Sequence, residues 1–93
     1  MAPTNEVRHL SNHHRETLDQ IVRHPAGHNI EWRPVLSLLE FVASSYEERD
    51  GKVVVTLGGE TETFERPTGK DISTQQVVDL RRMLQGAGYA SQE

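Results

Sequence analysis

The five histidines of this 93-residue sequence, His9, His13, His14, His24 and His28, are its side chains best suited to proton transfer or metal binding near neutral pH. His9 and His13 stand four apart, so on a continuous helix they share a face and could hold a metal ion. Glu6 and Glu16 are near, but neither stands at a compelling third position, and a solvated helix face is the simpler account. His14 falls on an apolar stripe and reads as packed. His24 and His28 flank Pro25-Ala26-Gly27. Their plain reading is as turn residues; their chemical reading is as a general base beside a ribose hydroxyl, if the N-terminal segment folds over a nucleic-acid site.

The cations with phosphate-binding potential are Arg66, Lys70, Arg81 and Arg82, with Ser73 among them. Arg81 and Arg82 also have an ordinary explanation, because cations near a helix C-terminus favour its dipole. Glu47, Glu48, Asp50, Glu60, Glu62 and Glu65 form an acidic block. Paired carboxylates can do acid/base work or hold a hard cation. These alternate along strands instead of converging, which predicts a solvated sheet face able to meet a basic partner. Trp32 is the single tryptophan; it reads as core, with base stacking or a partner anchor as the alternative. Gly58-Gly59 lacks the context of a phosphate-binding loop, and Ser44-Ser45 has no visible base. The absence of cysteine excludes disulfides, thiolate metal sites and a cysteine nucleophile. No cofactor is implied.

The elements that must position these groups follow from the apolar pattern. Apolar residues make up 34% and charged residues 26%, enough for one domain with a thin core. Val7, Leu10, His14, Leu18 and Ile21 predict a first helix, capped by Asn5 or Ser11 and ended by Pro25 and Gly27. A second helix starts near Glu31 to Arg33, with Pro34 in its first turn and Val35, Leu38, Leu39 and Val42 on its buried face. Asp50-Gly51 then joins extended runs at 45–49 and 52–57, and Gly58-Gly59 leads into a third at 61–66. Val53, Val55 and Leu57 predict the face turned to the helices. Ser73 with Gln76 forms a capping box, and Ile72 with Val77 a hydrophobic staple, at the start of the last helix; Gly86 and Gly88 end it.

The fold class is therefore α+β: helix, three-stranded antiparallel sheet, helix, with an extra N-terminal helix. Residues 1–29 form the extension, 30–89 the domain and 90–93 a frayed tail. The net charge of −4 argues against generic nucleic-acid binding, but the charge is uneven. Residues 34–65 are strongly acidic and residues 66–93 slightly basic. No apolar run reaches the length of a membrane span, and the first residues are polar, so the expectation is a cytoplasmic protein.

From roughly Glu31 to Tyr89 the order and local motifs resemble the HicA family, small bacterial toxins of toxin–antitoxin pairs that cut mRNA. The matching residues are Asp50-Gly51-Lys52, Gly58-Gly59, the lead-in Pro67-Thr68-Gly69-Lys70-Asp71-Ile72, and the ending Leu80 to Tyr89 with its Ala87-Gly88-Tyr89 step. The resemblance implies a fold similar to the double-stranded-RNA-binding domain, in which the lead-in to the last helix meets phosphates; Lys70 and Ser73 stand there. The family's RNA-cleaving histidine follows the hairpin glycine on strand two. Here Lys52, Val53 and Val54 follow Gly51, and no histidine occurs after His28. The leading expectation is a non-catalytic RNA- or protein-binding module. The alternatives are an mRNA interferase of a type II toxin–antitoxin pair, using His24 or His28 as a relocated histidine with an antitoxin-like partner, and a structural partner protein with no nucleic-acid role.

Overall fold

A computed structural model describes residues 10–23 and 29–89. It shows helices α1 (Asn12–Val22) and α2 (Trp32–Val42), strands β1 (Ser45–Arg49), β2 (Lys52–Leu57) and β3 (Glu60–Glu65), and helix α3 (Thr74–Gly86). This is the α+β order expected, including the additional N-terminal helix.

Ser11 caps α1, its hydroxyl accepting from the His14 N–H at 3.3 Å. Leu10, Thr17 and Ile21 are buried and Leu18 partly so, a narrow stripe that packs against α2 and α3. The Thr17 hydroxyl donates to the His13 carbonyl at 3.1 Å, which satisfies a buried polar group within the helix. α2 buries Trp32, Val35, Leu38, Leu39 and Val42 and supplies the centre of the core.

Both hairpins turn on two residues with positive φ, Asp50 and Gly51 (53° and 76°) and Gly58 and Gly59 (60° and 85°). That is the two-residue turn whose twist matches the strands it joins. The second turn pairs Leu57 with Glu60 directly, so β3 starts one residue earlier than the sequence suggests. Val53, Val55, Leu57 and Phe64 are buried beneath the helices, while Lys52, Val54 and Thr56 face outward. One face of the sheet is thus left uncovered, as antiparallel sheets allow.

The acidic block does not form one face. Pairing places Glu47 and Glu65 outward, beside Arg49 (2.9 Å) and Lys52 (3.9 Å). Register with Val53, Val55 and Leu57 puts Glu48, Glu62 and Glu60 on the helix side, where Glu62 holds Arg82 at 3.1 Å. An alternating strand divides its charges between two surfaces, so the run of acids in sequence is not a patch in space.

α3 follows its local signals. Ser73 and Gln76 form both bonds of the capping box. At the other end Gly88 takes φ 90°, the Tyr89 N–H donates to the Leu84 carbonyl at 2.9 Å and the Gly88 N–H to that of Gln85 at 3.1 Å. A strap not visible in the sequence joins the helix starts. The Trp32 N–H donates to the Lys70 carbonyl (2.7 Å) and the Ile72 N–H to the Ile30 carbonyl (2.8 Å).

Arg81 fixes α1. Its Nε donates to the Ile21 carbonyl at 3.1 Å and its Nη2 to that of Arg23 at 3.2 Å, satisfying acceptors at the open end of α1. Arg81→Ala should therefore cost about 1–3 kcal/mol in denaturant unfolding, and Arg81→Lys should restore only part of it, because an ammonium lacks the two-pronged geometry. Amide exchange should quicken in residues 17–23 and not in β2; unchanged exchange there would refute the clamp. No helix among the described residues is long and apolar enough to cross a membrane.

Candidate nucleic-acid interface

The strap, the β1–β2 hairpin and the first turns of α2 enclose a groove of about 760 Å³. Its floor is apolar, made by Trp32, Leu36 and Val53, and its rim is charged. Arg33 stands in the first turn of α2, Arg49 and Lys52 flank the hairpin turn, and Arg66 and Lys70 bracket the segment leading to α3. These are five of the chain's ten lysines and arginines, of which Arg49 and Lys52 pair with Glu47 and Glu65 on the outward side of the sheet. Glu31, Glu48 and Asp50 share the groove.

The cations differ in how they are held. Lys70 Nζ lies 3.9 Å from Glu31, and Lys52 3.9 Å from Glu65, both long contacts between exposed groups. Arg49 is closer to Glu47, at 2.9 Å. Arg33 and Arg66 have no side-chain hydrogen bond or ion pair among the described residues. Their guanidiniums keep all their donors for a ligand, and a guanidinium suits a phosphate's paired oxygens.

Of the residues expected from the sequence to meet RNA, Arg66 and Lys70 lie in this groove. The other three make internal contacts. Ser73 accepts from the Gln76 N–H at 3.2 Å as a helix cap. Arg81 clamps α1. Arg82 is held between Glu62 and Asp79, at 3.1 and 3.7 Å. Arg33, Arg49 and Lys52 join the groove without having been singled out by the sequence.

Trp32 is 8% exposed, so it belongs to the core and offers little face for stacking. His14 packs α1 onto α2, its Nε2 3.0 Å from the Ser37 hydroxyl oxygen and its ring centroid 5.0 Å from that of Phe41. His13 is exposed on α1. His9, His24 and His28 lie outside the described residues. Among the described residues no histidine lines the groove, and no group of three or more metal-binding side chains occurs.

Glu48 is held by a neighbour on its own strand. The Tyr46 hydroxyl donates to its Oε2 at 3.0 Å. Partial burial, then the Glu48 carboxylate, push the Tyr46 phenol above its ordinary pKa. The folded protein thus keeps this proton at pH values where the unfolded chain has released it. Stability from this site is complete below about pH 10 and declines as pH rises further. Denaturant midpoints measured upward from pH 9 should fall in the wild type and fall less in Tyr46→Phe; parallel curves would show the phenol to be ordinary.

No family model, curated protein or solved structure matches this chain.

Proposed function

We propose that this chain is an RNA-binding module that holds the phosphate backbone in the groove between α2, the β1–β2 hairpin and the lead-in to α3, without cutting it. The observation that carries this reading is the placing of Arg33, Arg66 and Lys70 on one groove of a chain with net charge −4, with Arg33 and Arg66 unpartnered among the described residues and with Arg49 and Lys52 at the adjoining hairpin turn. A bound phosphate backbone would give the Arg33 and Arg66 guanidiniums an anionic partner, and its affinity would fall with salt. The resemblance of residues 31–89 to the HicA family adds a second reason, since those domains act on RNA. The groove holds Lys52 and Val53 after Gly51 and no histidine among its described lining, which favours binding over cleavage. Such a module would work in the cytoplasm.

The test is binding of fluorescently labelled short RNAs, single- and double-stranded, followed through a salt series. Binding at low salt with intact RNA, and a logarithmic salt slope of about −0.7 for each phosphate neutralised on a single strand, supports the proposal. Cut RNA returns the interferase reading. No binding at low salt rejects an RNA role and directs the search to a protein partner such as an antitoxin-like protein.

A further inference from the structure

Resting on the RNA-binding reading, we infer that the groove takes a single, unpaired strand and that Glu48 makes it prefer bases carrying an exocyclic amino group over uracil.

A groove built only for phosphates has no use for carboxylates, each of which repels the ligand. Two of the three present have other reasons to be there. Asp50 is the first residue of the β1–β2 turn, where φ of 53° suits aspartate. Glu31 precedes α2 and stands near Lys70. Glu48 has no cation within ion-pair distance among the described residues. It sits on the helix side of edge strand β1, opposite Val53, beside the apolar floor, with one oxygen fixed by Tyr46. The result is an oriented carboxylate acceptor on the wall of the groove, beside the partly exposed Leu36.

A carboxylate accepts hydrogen bonds and donates none. Cytosine, adenine and guanine each offer it amino hydrogens. Uracil offers one N–H between two carbonyl oxygens, which the carboxylate repels. In a duplex the amino groups of cytosine and adenine face the deep, narrow groove of A-form RNA, which side chains cannot read, so contact with them requires an unpaired strand. The groove volume of about 760 Å³ is in the range of small-ligand sites and accommodates a nucleotide. Phosphates on either side of that nucleotide would then lie at the arginine and lysine rim.

The test compares oligocytidylate with oligouridylate of equal length at low salt, on the full chain. The two pyrimidines match in size, so the comparison isolates the hydrogen-bonding edge. The wild type should bind the cytidine strand about fivefold or more tightly. Glu48→Gln, an exposed and isosteric change, should bring the two within about twofold, because an amide both donates and accepts. It should also strengthen uridine binding by removing a repulsive charge. Tyr46→Phe should narrow the preference in part, by freeing the carboxylate. An acid kept only to guard the sheet edge would leave selectivity unmoved. Equal binding of both strands by the wild type, or selectivity retained in Glu48→Gln, overturns the inference and leaves the RNA-binding reading standing. Binding of neither strand overturns both.

Discussion

Replacing Arg33 and Arg66 together by glutamate should lower affinity for single-stranded RNA by roughly a hundredfold or more at low salt, the order expected from losing two charge-assisted contacts. The salt dependence should flatten by about 0.7 per lost phosphate contact. Stability should change little, because both side chains are exposed and neither has a partner among the described residues. The same exchange at Arg81 gives the contrast. Its guanidinium bridges α3 to the end of α1, so Arg81→Glu should damage stability more than RNA affinity. Anisotropy titrations beside denaturation curves separate the two. A double variant that binds as the wild type does would remove the groove from the account.

The second large effect lies at the far end of the sheet. Gly58 and Gly59 both have positive φ, 60° and 85°, so alanine is strained at either. They differ in what surrounds them. A Cβ at Gly59 meets nothing within 4 Å, while one at Gly58 would stand 3.0 Å from both Cα and Cβ of Ala87 and 3.2 Å from its backbone nitrogen. The end of α3 would have to move, and that end is held by the Gly88–Tyr89 cap. Gly59→Ala should cost about 1 kcal/mol, and Gly58→Ala about 2–4 kcal/mol. The larger loss should lower Tm by roughly 10 °C or more in a domain of this size. Equal Tm values for the two variants would show that the turn does not press on the helix.

What the sequence revealed was whatever depends on neighbours along the chain. α3 was legible because its signals are local: Ser73 with Gln76, Ile72 with Val77, and a glycine where the backbone turns left-handed. The hairpins were legible for the same reason, from Asp50-Gly51, Gly58-Gly59 and the alternation of Val53, Val55 and Leu57. The strap between residues 30–32 and 70–72 was not, since it joins segments about forty residues apart through backbone groups that any sequence supplies.

The groove was half legible. Arg66 and Lys70 stood out beside the last helix, while Arg33, Arg49 and Lys52 looked like scattered surface charges. One signal could have gathered them. Only Ala43 and Ser44 separate α2 from β1, so the chain must reverse there, and the start of α2 must lie near the end of β1 and its hairpin. Arg81 shows the opposite error. A cation well into the last helix suggests a partner in that helix's own dipole, yet its guanidinium reaches the terminal carbonyls of α1. The physics is the same; the helix it serves is set by tertiary packing.

RNA binding in the groove is tested by an NMR titration of the isotope-labelled chain with a short single-stranded RNA at low salt, with the RNA run on a gel afterwards. Progressive shifts confined to the amides around Arg33, Arg49 to Lys52 and Arg66 to Lys70, suppressed by added salt, are expected, with the RNA intact. Shifts centred on α1 and the outer face of α3, or none at all, would contradict it.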